Sequence, residues 1–209
     1  MTAAEDPAAS VANFRCISAT GKTIERLLNA CFFEEQPVSN ELPTKAVLVR
    51  SEDFARPSDA GEIPARALAV FLYSIEVNKV MRAAWSGVGS FDGQAHLPID
   101  LHFLLIPFAE NAEFEAQILG RAMQCIECTP SMSGPLLYPT ADWAPNEAVH
   151  LMVEDLPIDS VLRTFDSLAV DYRLAVPYLA RVVRIDGRLV EPPPAAATVI
   201  AGLTPVVAG

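Results

Sequence analysis

No run of apolar residues in this chain approaches the ~20 that a helix needs to cross a bilayer, although 51% of its residues are hydrophobic. Proline, glycine and charge break the apolar residues into short stretches, the pattern of a folded core. Basic residues are scarce: 15 Lys and Arg stand against 26 Asp and Glu, a formal charge of −11. Nucleic-acid backbones and anionic lipid heads are held by clusters of Lys and Arg, so neither nucleic-acid binding nor direct membrane insertion is expected. The first dozen residues, MTAAEDPAASVA, have no basic n-region and no apolar h-region, so no secretory signal is expected there and the reading is of a soluble protein of the cytoplasm. Cysteines number only four, which in that setting argues against a disulfide scaffold, and they are expected to be reduced.

Catalytic signatures are equally thin. There is no Gly-x-Ser-x-Gly turn and no paired-carboxylate motif. The string Ser18-Ala19-Thr20-Gly21-Lys22-Thr23 ends like a phosphate-binding loop, but the spacing calls for glycine where Cys16 stands, and a cysteine backbone does not make that tight turn. A helix start is the plainer reading. Cys125-Ile126-Glu127-Cys128 has the spacing of half a zinc site or of a redox pair, yet no partner pair and no nearby His accompany it. Two small, partly buried side chains are the better expectation. Asp100 and His102 lie two apart on one face of a predicted strand, where a carboxylate orients an imidazole, but nothing supplies a nucleophile. His96 and His150 show no ligand pattern. No cofactor, metal or enzyme activity is expected.

Periodicity marks out the elements. Ile24, Leu27, Leu28, Cys31 and Phe32 recur at helical spacing, with Ser18 or Thr20 as candidate caps. Ala46–Val49 reads as a strand, and ALAVFLYSIEV, too apolar to be half exposed, as a central one. Asn78 to Trp85 suits about two helical turns, and Gly87, Gly89 and Gly93 mark a flexible connection. Pro98–Phe108 alternates only at its start, so its end should lie deeper. After Asn111, the residues Phe114, Ile118, Ala122 and Ile126 repeat every four until Pro130. AVHLMVE, a short helix over 157–168 and a strand in DYRLAVPYLARVVRID complete the pattern. In that last strand Tyr172, Leu174, Val176, Tyr178 and Val182 share a face, and Pro177 places it at an edge or a bulge. The fold class is α+β: a single domain, a mostly antiparallel sheet flanked by helices, and a Pro-rich C-terminal arm. A loose arm spans 1–13, the domain 14–186, and the arm 187–209.

Gly120 is informative because a glycine inside a helix costs about 1 kcal/mol relative to alanine; close approach of another backbone, within the fold or across a subunit contact, would offset it. Arg121 follows, and Asn78 and Arg82 are four apart, side by side on a helix. Each is a candidate interface group, the alternatives being a solvated arginine and an ordinary Asn cap. Beyond EPPPAAA, the uncharged TVIAGLTPVVAG, with Val199 and Leu203, reads either as a docking segment or as a frayed tail.

Five stretches together carry a likeness: ISATGKTIERLLNA, FLYSIEVNKVMR, LPIDLHFLLIPFAEN, ILGRAMQCIECTP and SLAVDYRLAVPYLARVVRID. In order and spacing, over roughly Cys16 to Asp186, the chain resembles the cap, or tail-terminator, family of extracellular contractile injection systems typified by the antifeeding prophage and the Photorhabdus virulence cassettes. The resemblance departs from the family's pattern at Phe165, where a tryptophan is expected, at Ala175 and at Pro177. It implies a structural protein that assembles as a homo-oligomeric ring, a hexamer, on the end of the particle remote from the baseplate. There it contacts the inner tube protein and the sheath protein and stops their polymerisation, inside the producing bacterium and as part of a particle that is later released. An adaptor linking the particle to a membrane anchor or a cargo is the alternative. On this reading Asn78, Arg82, Gly120, Arg121, Val199 and Leu203 lie near subunit or tube contacts.

Overall fold

The computed structural model describes residues 13–39, 42–55, 63–83, 95–168 and 170–187. All but residue 13 of the predicted arm over 1–13, the glycine-bearing connection at 87–93, and all but residue 187 of the C-terminal arm, with Val199 and Leu203, lie outside them. The elements run α1 (Cys16–Glu34), β1 (Lys45–Val49), a 3-10 turn (Ser51–Ala55), β2 (Ala67–Val77), α2 (Lys79–Arg82) and β3 (His96–Phe108). They continue with α3 (Ala112–Cys128), β4 (Ser131–Ser133), β5 (Ala148–Val153), α4 (Ile158–Asp166) and β6 (Val176–Asp186). Six strands form one sheet in the order β1-β2-β3-β6-β5-β4. Only β1 and β2 pair in parallel; the other ladders are antiparallel. This is the expected α+β domain with a mostly antiparallel sheet.

The β2–β3 ladder pairs Ala67 with Phe108 at one end and Val77 with Ile99 at the other. It sets the buried start of β2 against the buried end of β3, while the exposed Glu76 meets the half-exposed Asp100. Because side chains alternate across a strand, continuous apolar runs build two cores. On one face Leu68, Val70, Leu101, Phe103 and Leu105 meet α1 and α3 through Ile24, Leu28, Ile118 and Ile126. On the other, Ala69, Phe71, Leu104, Ile106 and Phe108 meet Phe54 of the 3-10 turn and Val161 and Phe165 of α4. Each fully buried side chain of this size stabilises by about 1.5–3 kcal/mol.

Local chemistry sets the helix ends. Asn111 caps α3, its Oδ1 accepting from Phe114 N at 2.9 Å. The first helix differs from expectation. It begins at Cys16 after Arg15, with no side-chain cap; the expected caps lie inside the helix, where Ser18 and Thr20 donate back to the carbonyls of Arg15 and Cys16 at 2.9 and 2.8 Å. The tight approach in this helix is at Gly21, where a Cβ would lie 2.9 Å from a methyl of Leu48 on β1. About two turns further on, Asn29 Nδ2 donates to Ala46 O at 2.8 Å and Asn29 Oδ1 accepts from Ala46 N at 2.9 Å. Both main-chain groups of a residue on an outer strand are thereby occupied, which closes that stretch of edge to strand addition.

Two further expectations change. β6 lies between β3 and β5 rather than at an edge. Its proline is tolerated because Pro177 is the second residue of the strand, and its carbonyl still accepts from Glu154 N at 3.0 Å. The register shift opposite Ile99 and Leu101 replaces Val182 by Val183 on the core face, after Tyr178 and Ala180, and Tyr172 and Leu174 precede the strand, exposed. The cysteines are not all free: Cys31 of α1 and Cys125 of α3 form a disulfide, with Cα atoms 6.3 Å apart. Residues 94 apart in the chain meet there because both helices pack on one sheet face.

Phe103 is 1% exposed in the first core; Phe103→Ala is expected to lower the unfolding free energy by about 3–5 kcal/mol, moving the urea midpoint down with its slope unchanged.

Candidate functional site

The predicted interface residues fall into two groups on different elements. Asn78 closes β2: its Oδ1 caps α2 by accepting from Met81 N at 3.0 Å, and its Nδ2 donates to Asp100 Oδ2 at 3.1 Å. It is 6% exposed. Arg82, one helical turn on, is exposed, and its guanidinium donates to His96 O at 3.3 Å. Asn78, Arg82, Asp100 and His96 thus tie the β2–β3 end together.

The second group lies on α3. Gly120 is exposed, and a Cβ built there would meet nothing within 4 Å among the described residues, so no approach by them accounts for the glycine. Arg121 reaches across to α1. It donates to Cys31 O at 3.3 Å and to Gln124 Oε1 at 3.0 Å, and pairs with Glu35 at 3.2 Å. A cation at the last carbonyls of α1 is favourable to the helix dipole.

The pair of Asp100 and His102 does not form. Asp100 is taken by Asn78, and His102 turns to Glu154, 52 residues on, with Nδ1 at 2.9 Å from Oε1. Tyr73 donates to the same carboxylate at 3.1 Å. Burial and the Glu154 charge push the Tyr73 hydroxyl up. His102 is 8% exposed, and its Nε2 has no hydrogen-bond partner among the described residues. Sequence reasoning missed Tyr73 and Glu154, since no local spacing joins β2, β3 and the end of β5.

A second, half-buried polar group joins β3, β6 and the residue before β5. Asp186 Oδ1 bonds His96 Nδ1 and forms an ion pair with Arg184 at 2.9 Å, and Arg184 stands 3.2 Å from Glu147. Burial raises Glu147, although the Ala144 amide and Arg184 pull the other way. Among the described residues no group of His, Cys, Asp and Glu has the arrangement to hold a metal. Cys125 and Cys128 do not pair with each other; Cys128 is a free, exposed thiol. No described helix is long and apolar enough to cross a membrane.

A groove of about 820 Å³ runs beside the start of α1, floored by Ile17, Leu48, Phe71, Leu72 and Phe103 and rimmed by Arg15, Arg50 and Asp53. Phe14 stands on its lip, 70% exposed. The would-be phosphate loop is part of α1, and Gly21 there serves packing against Leu48.

The family model described as Pvc16 N-terminal domain matches residues 19–198. No curated protein is matched. Among solved structures, the chain aligns with the PVC sheath/tube terminator in the extended state, from an extracellular contractile injection system. There the identity is 14% and the TM-score 0.48, over 90% of this chain and 63% of that one. It aligns also with the anti-feeding prophage cap, a tube terminating cap, at 18% identity and TM-score 0.48, over 91% of this chain and 59% of that one. The chain therefore spans less than two thirds of either structure.

Glu147 gives a pH signature. An acid whose folded pKa is raised contributes stability below its unfolded value, near 4.5, and loses it as pH rises through the folded value. Glu147→Gln removes that step, so urea unfolding should show the variant gaining on the parent as pH rises above the unfolded value. A constant difference as pH rises would refute the assignment.

Proposed function

We propose that this chain, which belongs to the Pvc16 N-terminal domain family, terminates a contractile phage-tail-like particle. It forms a ring, sixfold, on the end of the inner tube and sheath, and stops the growth of both. The observation that supports this reading is the span of the family match. Residues 19–198 take in all five segments of the resemblance save the first two residues of the first. The role is structural, and the partners are the tube protein, the sheath protein and further copies of this chain.

A closed ring of more than two copies uses head-to-tail contacts, in which two different patches of one chain meet. The exposed Arg82 at the β2–β3 end and the open Gly120 surface of α3 are two such patches on different elements. Asn78 and Arg121 hold the local backbone that presents them. Val199 and Leu203 are proposed to dock on a neighbouring subunit or the tube. A glycine that faces open space inside a helix keeps the helix surface low, so a partner backbone can approach closely.

Electron microscopy of particles from a producing cell with the gene deleted tests the function. Unsheathed or variable-length tails are expected; normal particles of normal length would overturn termination and favour an adaptor to a membrane anchor or cargo. Gly120→Trp tests the surface. The variant is expected to fold, with a melting temperature equal or slightly higher, because no described residue lies within 4 Å of a Cβ there, yet to be missing from particle ends. A full cap built from this variant would sink the role given to Gly120.

A further inference from the structure

The four cysteines differ in what their sulfurs can do. Cys16 is fully buried, and burial first, then the charge of Glu147, pushes its thiol up to about 12; it stays protonated and inert. Cys128 is free and exposed. Cys125 is 2% exposed, whereas its disulfide partner Cys31 is half-buried near the end of α1. An external thiol therefore reaches the bridge from the Cys31 side.

The surroundings of Cys31 link the bridge to the sheet. Its carbonyl accepts from Glu35 N at 3.1 Å and from the Arg121 guanidinium at 3.3 Å. Just beyond, Gln36 Nε2 donates to Phe32 O at 2.7 Å and Gln36 Oε1 accepts from Thr44 N at 2.8 Å. The end of α1 thus carries the side chain that covers the entry to the outer strand β1. Upstream, α1 is held to the sheet by Cys16, Ala19, Ile24 and Leu28, all in the first core. Phe32 and Val38 also lie in that core, so loss of the bridge would leave α1 docked and raise only the local opening of its last turn around them.

We propose that Cys31 and Cys125 form a reversible redox fastener that pins the last turn of α1 to α3 and with it the Gln36 cover over the entry to β1. The exchange partner is a small thiol such as glutathione. Its thiolate attacks Cys31 Sγ, the S–S bond breaks, and the Cys125 sulfur leaves and takes a proton. A second glutathione thiolate attacks the glutathione sulfur of the mixed disulfide, which releases Cys31 as a thiol and forms oxidised glutathione. The reverse sequence, with oxidised glutathione as oxidant, closes the bridge.

The full chain, equilibrated in buffers of varied reduced to oxidised glutathione ratio, supplies the test. Free thiols are alkylated, peptides are mapped without reduction, and deuterium uptake is followed by mass spectrometry. A peptide pair joined through Cys31 and Cys125 is expected on the oxidised side and two alkylated peptides on the reduced side. Residues 31–38 and 44–46 should exchange about tenfold faster when reduced, with β2 and β3 unchanged. Cys31→Ser should show the fast pattern in oxidised buffer, and Cys128→Ser should leave the linkage intact. Cysteines unlinked at every ratio, equal uptake in the two states, or a linkage lost in Cys128→Ser would each overturn the proposal.

Discussion

The antiparallel pairing of β2 with β3 is the constraint on which the other elements depend. It places the two most apolar stretches of the chain side by side with their buried ends together. Neither stretch has a polar face over its buried length, so both sides of the ladder must be covered. That requirement brings α1 and α3 to one side and α4 with the Ser51–Ala55 turn to the other. An amphipathic helix has one stripe to bury, and the double-faced sheet offers two surfaces for such stripes.

Once α1 lies on the sheet, its side chains decide what becomes of the outer strand β1. Gly21 lets the helix sit against Leu48, Asn29 occupies both main-chain groups of Ala46, and Gln36 takes the amide of Thr44. Unpaired strand edges are sites of uncontrolled association. In a protein proposed to assemble through defined head-to-tail contacts, covering this edge from within the same chain directs association to other surfaces. The proposed redox fastener acts on the same corner, since Cys31 is five residues from Gln36 along α1 and its exit.

The polar groups that drew notice as candidate chemistry are largely used inside the fold. Asn78 and Asp100 close the β2–β3 end, Arg121 ties α3 to α1, and His102 shares Glu154 with Tyr73. Each of these interactions ties two elements together and gives partners to polar groups that are fully or partly buried, where an unpaired group is costly. What is left open to a partner is of a different kind: a bare helix surface at Gly120, an exposed Arg82 and the apolar groove beside α1. Surfaces of this sort suit contact with another protein, in keeping with the proposed terminator.

Local periodicity and turn chemistry were enough to read β1, β2, β3, α3 and β5 from the sequence, along with the Asn111 cap and the greater depth of the end of β3. These features follow from residues within one or two turns of each other, so the chain carries them without reference to the rest. The five-segment likeness to tail terminators was legible for a related reason, because it lies in the order of such elements. Sequence did not show that β6 would be interior, that Val183 would replace Val182 on the core face, that Cys31 would meet Cys125, or that Glu154 rather than Asp100 would face His102. Each depends on which strands become neighbours and on one register shift. Those are outcomes of packing between residues far apart in the chain, where no local spacing carries the information and the burial of both sheet faces makes the choice.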